Sequence, residues 1–373
     1  MGDVLSPLPR GPLVTLWHSN GLGAALRDAR GFLAAAKPPA VQIHAGPQGT
    51  RDGFASTAKA LREIIPGVTL ACGIAWDGWI EDYHEGGASK RRSVEDLYMT
   101  AARAAHAAGA VLLVLNSEAA GKQYPHAARL LAVALIDRIR EECPGMLLGH
   151  TAYDHPHYHP EERNNGGRID ADDEGYPWSV YLGGAVARAV PGLELPKTGR
   201  VDVSMEQVYA APPKPEGKPQ PMADLAALGR RIRSSAASFR KAEALGWIDP
   251  KVAHLSYQQA HHVPAASIVG ENARTLRTAF WASPSRMDAD GSRAVTFLAA
   301  AARGEVSRSN ADPLVRAWAQ GRLGIDGGSA WGTWGPKSRA AAEAYQRGAG
   351  LPVSGELDAA TLSALVTDSR AQA

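Results

Sequence analysis

A chain of 373 residues, 45% hydrophobic and 21% charged, has the composition of a folded globular protein, which excludes a wholly disordered, collagen-like or coiled-coil chain. A single core stops growing at ~250–300 residues, so one large domain with a small one attached is expected. Forty Lys+Arg against 38 Asp+Glu give a formal charge of +2. With no basic excess to drive counterion release, nucleic acid is not an expected partner.

The start, MGDVLSPLPRGPLV, lacks a basic segment leading into a long apolar one, and no run of ~18 apolar residues follows. Synthesis in the cytoplasm without a signal peptide, and no membrane span, are expected. The two cysteines, Cys72 and Cys143, sit among apolar residues; they cannot make a disulfide framework or a four-thiolate metal site.

Eight short apolar runs follow one another: Pro12–His18, Ala40–Ala45, Val68–Asp77, Ala110–Glu118, Met146–Asp154, Val201–Tyr209, Val252–Gln258 and Thr278–Ala282. Between them, apolar positions at spacings of three and four predict helices over Gly23–Lys37, Gly53–Ile65, Ser93–Ala108, His126–Glu142 and Met222–Leu245. Strand and helix in alternation imply parallel strands joined by crossovers. Eight such units in Pro12–Pro284 match the ~250 residues of a closed (β/α)8 TIM-like barrel, with an open doubly wound sheet as the alternative.

Side-chain parity supports closure. Val68, Leu70, Cys72, Ile74 and Trp76 form a bulky face for the helix layer, against the smaller set Thr69, Ala71, Gly73, Ala75 and Asp77 for a crowded lumen. The same reading sets Val201, Val203 and Met205 against Asp202, Ser204 and Glu206, so Glu206 is expected to point inward. His44, Glu118 and Gln258 fall at or near the carboxyl ends of their strands, where barrel enzymes assemble their sites. His155–Arg200 and the proline-rich Ala210–Pro221 would be long insertions on that same face.

After Pro284 the alternation stops. An Ala-rich helix at Arg293–Arg303 and a polar stretch at Gly304–Asn310 lead into a different segment, which gives domains of 1–306 and 307–373. Asp312–Leu365 carries Leu314, Trp318 and Leu323, then Trp334-Gly335-Pro336, then Ser338 ahead of Ala341, Ala344, Tyr345 and Gln346. Gly350-Leu351-Pro352, Gly355, Asp358, Thr361-Leu362 and Leu365 complete it. No internal repeat stands out elsewhere.

This order and spacing resembles the small three-helix peptidoglycan-binding domain of bacterial and phage cell-wall hydrolases. The physical reading agrees: Ala341, Ala344 and Tyr345 share one helical stripe, and Asp358 can cap a last helix bearing Leu362 and Leu365. Residues 310–373 hold six Lys+Arg and six Asp+Glu, so bulk charge does not draw an anionic polymer. Trp331, Trp334 and Tyr345 are the candidate wall-binding residues, Trp331 and Trp334 offering aromatic faces to sugar or peptide. The sparse apolar content of the linker suggests two separable cores.

The resemblance implies bacterial peptidoglycan as partner, and a monomeric, endolysin-like enzyme that reaches the wall after release. Cutting the glycan needs an acid at the leaving oxygen and usually a second carboxylate, or help from the substrate's acetamido group. Glu118, closing the apolar run VLLVLNSE, is the first choice for the acid; Glu206 and Asp77 compete for the second role. Trp76 and Trp79 flank Asp77 and could stack on a sugar, and His44, Asp154, Tyr209 and Gln258 are candidate substrate-binding groups. No cofactor is expected. The rival chemistry is a metal-dependent amidase or peptidase built on His150, Asp154, His155, His157 and His159, although no His-Glu-x-x-His pair is present. The non-enzymatic rival is a wall-binding protein of a phage or injection apparatus. No Gly-x-Ser-x-Gly elbow, phosphate loop or dinucleotide fingerprint occurs.

Overall fold

A computed structural model describes residues 4–75, 77–116, 124–153, 178–183, 195–209, 236–237, 239–241, 243–244, 246, 248–259, 263–274, 277–281, 287–306, 309–325 and 330–371. Eight parallel strands close into a barrel in sequence order. They are β1 Gly11–Leu16, β2 Ala40–Ala45, β3 Thr69–Ala75, β4 Ala110–Asn116, β5 Leu147–Tyr153, β6 Val203–Tyr209, β7 Ala253–Gln259 and β8 Arg277–Trp281. Closure is made by β1 on β8, Leu13 opposite Ala279 and Thr15 opposite Trp281.

Helices α1 Leu22–Ala36, α2 Pro47–Ile64, α3 Asp77–Glu85, α4 Ala88–Ala107, α5 Pro125–Glu142, α6 Trp178–Leu182, α7 Ala265–Asn272 and α8 Ala289–Ala302 accompany the strands. The two faces of the sheet pack into different cores, as a sheet buried on both sides requires. Leu13, Ala40, Ala71, Leu112, Val114, Val203, Met205, Leu255, Tyr257 and Ala279 fill the lumen, with Leu5 and Leu8 joining them. Val14, Val41, Ile43, Leu70, Cys72, Ile74, Leu113, Leu115 and Phe280 face the helices.

Strand β3 follows the expected division, its small residue Ala71 inside and Leu70, Cys72 and Ile74 outside. Strand β6 reverses it. Val203 and Met205 lie in the lumen, while Asp202 accepts from the Leu148 backbone N–H and pairs with Arg140 of α5 at 2.7 Å. The inward expectation for Glu206 rests on Asp202 facing the lumen, and Asp202 instead faces α5. Asp77 is not the last residue of a strand either: β3 ends at Ala75 and Asp77 opens α3. Of the expected helix Met222–Leu245, the described residues between 236 and 244 are helical.

Three further helices, α9 Pro313–Arg322, α10 Pro336–Gly348 and α11 Ala359–Ala371, form the C-terminal unit. Asp312 caps α9 by accepting from the Leu314 N–H at 2.8 Å, and Asp358 accepts from the Thr361 N–H at 2.8 Å.

This unit packs directly on the barrel. Leu314, Val315 and Ala317 to Gly321 of α9 are all buried, and Leu314, Val315, Ala317, Trp318 and Ala319 belong to one apolar cluster with Ile268, Val269 and Ala273. The helices meet through two glycines. A Cβ on Gly321 would lie 2.3 Å from the Gly270 carbonyl oxygen, and one on Gly270 would lie 2.2 Å from the Trp331 ring. The Trp331 indole N–H donates to Glu271 at 3.1 Å, and the Arg274 guanidinium donates to the Gly321 carbonyl at 3.2 Å.

Deleting residues 307–373 should therefore unseat α7 and yield an aggregating or molten barrel, seen as loss of a cooperative thermal transition. Gly270→Leu, which overpacks the Trp331 contact, should cost about 1–3 kcal/mol of stability in the intact chain. A deletion product with an unchanged melting temperature would contradict the shared core.

Candidate functional site at the barrel mouth

Among the described residues, the upper lumen is lined by uncharged polar side chains. Alternation from the lumen residues Leu13, Ala40, Val114, Met205 and Leu255 carries Thr15, Gln42, His44, Asn116, Gln207 and Tyr257 inward, and Thr151 joins them from β5. All are buried and none carries a carboxylate or a cationic head. Gly73 makes room for two of them: a Cβ there would lie 2.3 Å from His44 Nδ1 and 2.5 Å from Gln42 Nε2. A side chain at 73 would drive the imidazole and the amide from their places.

Among the described residues, Thr15 Oγ1, both heteroatoms of the Gln42 amide and Asn116 Oδ1 are buried without a hydrogen-bond partner. Each such group costs ~1–3 kcal/mol if left unmade. A layer of neutral donors and acceptors of this kind is suited to uncharged polar groups such as hydroxyls and amides.

Burial pushes the His44 imidazole down to about 4, so near neutral pH it is an uncharged hydrogen-bonding group and not a cation. His150 lies on the other face of β5. Its ring stacks on Tyr181 of α6 with centroids 4.7 Å apart, and burial pushes it down to about 3. It is packed as a core aromatic would be. The other members of the expected metal set, Asp154, His155, His157 and His159, lie outside the described residues. Among the described residues, no three His, Cys, Asp or Glu groups are placed to hold a metal ion.

The expected site residues separate into three groups. His44 stands at the mouth, 3% exposed. Gln258 does not: its amide exchanges two hydrogen bonds with Asn272 of α7, at 2.8 and 3.0 Å, on the helix side of β7, and so it is a structural group and not a substrate ligand. Trp79 is half-buried on α3 against the outer core. Trp76, Glu118 and Asp154 lie outside the described residues, as do the side chains of Asp77, Glu206 and Tyr209. In the C-terminal unit Trp331 is buried against α7 and not turned to solvent, which removes it from the wall-facing set. Trp334 is half-buried with its indole N–H on the Gly355 carbonyl, and the Tyr345 hydroxyl donates to Asp368.

Gln42 and Asn116 escaped sequence reasoning because neutral amides carry no charge signature. The signal was present in AVQIHA, where two polar residues alternate within an apolar strand.

The pH dependence of stability follows from the two buried imidazoles. In the unfolded chain each titrates near ~6.5, whereas in the fold they stay neutral down to about 4 and about 3. Between those limits the unfolded chain binds more protons, so their contribution is complete above pH 6.5 and is lost as pH falls toward 4 and then 3. The melting temperature should drop across that window, and His150→Phe, which keeps a ring against Tyr181, should flatten the slope. An unchanged slope in that variant would show that His150 does not carry the effect.

Solved structures similar to the chain include GH5_18 from Streptomyces cattleya in complex with Manb1-4GlcNAc, at 15% identity, covering 81% of this chain and 82% of that one with a TM-score of 0.48. A GH18 chitinase from Pseudoalteromonas aurantia is 12% identical over 77% of this chain and 99% of its own, with a TM-score of 0.41. A 3-dehydroquinate dehydratase from Geobacillus kaustophilus is also 12% identical, over 77% of this chain and 90% of its own, with a TM-score of 0.38. At these values the likenesses do not bear on chemistry, and β/α barrels host many unrelated reactions. No curated protein matches the chain. Residues 321–365 match the family described as "Putative peptidoglycan binding domain", and the C-terminal helices carry a domain of that family.

Proposed function

We propose that the protein is a peptidoglycan hydrolase whose barrel, residues 1–306, cleaves the glycan strand while residues 307–373 hold the wall. The observation that carries this reading is the peptidoglycan-binding domain at 321–365 packed directly on a closed β/α barrel with a polar mouth. The neutral layer of Thr15, Gln42, His44 and Asn116 is suited to sugar hydroxyls and acetamido groups and brings no charge of its own. The charge that chemistry needs would come from carboxylates beyond the strand ends.

Glu118 is proposed as the general acid of a muramidase or glucosaminidase type of reaction. It follows by two residues Asn116, the last residue of β4 and the end of the lumen row Leu112, Val114, Asn116. Asp77, opening α3 just after β3, and Glu206 of β6 are the two candidates for the second carboxylate. Among the described residues no helix is long and apolar enough to cross a membrane. An endolysin-like route, with synthesis inside the cell and action on the wall after release, is part of the proposal.

Mass spectrometry of digested sacculi should find new reducing ends and no new amino groups. Glu118→Gln keeps size while removing the transferable proton, and loss of a general acid costs ~10²–10⁴-fold in rate. Lysis should fall at least a hundredfold with melting temperature and wall binding unchanged. Normal lysis by Glu118→Gln, together with new amino groups and inactivation by chelators, would replace the glycosidase with the metal-dependent amidase or peptidase.

A further inference from the structure

Beside the mouth, the loops after β1 and β2 enclose a cleft of about 620 Å³ with His44 and Trp17 among its lining residues. That volume lies within the ~300–1,000 Å³ of small-molecule sites. Trp17 follows the last residue of β1 and is 37% exposed, one of three large apolar side chains that stand open among the described residues.

Local hydrogen bonds shape the loop that follows Trp17. The His18 carbonyl accepts the Gly21 N–H at 3.0 Å, and His18 Nδ1 accepts the Asn20 N–H at 2.9 Å. With Nδ1 accepting, the ring proton of the neutral form belongs on Nε2, which lies 3.4 Å from Asp28 of α1. Little ordering cost would remain for a ligand to meet.

The opposite walls supply donors without charge. Helices α1 and α2 both begin at the cleft behind the glycines Gly21 and Gly46, neither with a side-chain cap and neither with an acidic residue in its first turn. Their first-turn N–H groups, apart from Pro47 of α2 which has none, can donate to ligand oxygens. The acidic side chain that lines the cleft among the described residues, Asp52, is already paired with Arg51 at 2.6 Å. A charged peptide finds no unpaired counter-charge here, whereas a hydroxyl-rich neutral ring finds both an aromatic face and donors.

We propose that this cleft is a pyranose subsite for the glycan strand, with Trp17 packed against the apolar face of the sugar and the first turns of α1 and α2 donating to its hydroxyl or acetamido oxygens. His44, shared by cleft and lumen, joins the subsite to the mouth. The inference rests on the glycan reading of the barrel.

Two substitutions in the full-length chain test it. Trp17→Ala removes the platform. Gly23→Leu fills the cleft from within α1, where an added Cβ meets nothing within 4 Å and where Leu is a better helix former than Gly. The probes are chitotetraose, followed by calorimetry, and peptide-free glycan strands, followed by reducing-end release. Stacking of ~0.5–1.5 kcal/mol predicts a loss of roughly threefold to tenfold in chitotetraose affinity for Trp17→Ala, matched by a rise in KM with kcat retained. Trp17→Phe should recover most of it, and Gly23→Leu should match or exceed the loss. Melting temperature and sedimentation with sacculi should stay as in the wild type.

Wild-type affinity and KM in both variants would overturn the subsite while leaving the hydrolase reading intact. Binding of a stem tetrapeptide that both substitutions abolish would overturn it in favour of a peptide site. A wild-type chain that binds chitotetraose through Trp17 but releases no reducing ends would instead remove the hydrolase and keep the subsite.

Discussion

The reciprocal amide pair between Gln258 and Asn272 fixes the helix on which both halves of the molecule depend. Asn272 accepts from Gln258 Nε2 and Thr278 Oγ1 and donates to Gln258 Oε1 and the Ile268 carbonyl, all within 2.8–3.0 Å. One buried side chain thus joins β7, β8 and α7 with its hydrogen-bonding capacity filled, the condition under which a polar group inside a core stabilises it. Helix α7 then offers Gly270 and Glu271 to the C-terminal unit. Neither glycine at the crossing can be enlarged without parting the helices. The C-terminal unit is therefore a layer of the barrel's own packing, and the direction in which it faces is set by the β7–β8 side of the barrel.

At the other end of the lumen the construction is different. The lower lumen is apolar, with Leu5, Leu8, Leu13 and Leu112 filling it as barrel interiors are filled. Higher up, Gln42, His44 and Asn116 replace aliphatic side chains, and part of the capacity of Gln42 and Asn116 has no protein partner. A stability-driven interior would not be built this way, because a leucine at position 42 would have no unmet hydrogen bonds. The loss is tolerable where a ligand, or water in its absence, completes the layer. Low pKa values at His44 and His150 are the electrostatic side of the same burial.

How much of this was legible in the sequence depended on the range of the physics. The eight-unit alternation and the division of β3 follow from local periodicity, and both are in the structure. The parity of β6 was misread because both faces of a barrel strand are buried, so Val203 and Met205 are as much at home in the lumen as under a helix. The acidic Asp202 belongs to a pair with Arg140, sixty-odd residues earlier in the chain, which no local pattern encodes. Gln258 read as a mouth residue from its place near a strand end, yet one step of alternation turns it toward Asn272. The burial of Trp331 was equally hidden, since its partner Glu271 lies in another unit.

The C-terminal motif was legible because each of its residues answers a demand that only a few side chains can meet, and the structure shows that demand made twice. Gln320 of α9 accepts the Gly332 N–H and donates to the Thr333 carbonyl and Ser338 Oγ, fastening the loop that opens α10. Gln346 of α10 accepts the Ser354 and Gly355 N–H groups and donates to the Glu356 carbonyl and Thr361 Oγ1, fastening the loop that opens α11. After each glutamine the chain turns through a glycine of positive φ, Gly324 at 77° and Gly350 at 67°, and the next residue's N–H returns to the glutamine carbonyl at 2.9 Å. The two helix–loop units are thus one device repeated, a repeat that the sequence conceals under unequal loop lengths. The first unit is spent on the barrel, since α9 is buried along most of its length, while α10 and α11 keep the larger share of their side chains exposed. The surface this domain can offer to a wall polymer is consequently that of its second unit, held at a fixed angle to the barrel by the glycine contact with α7.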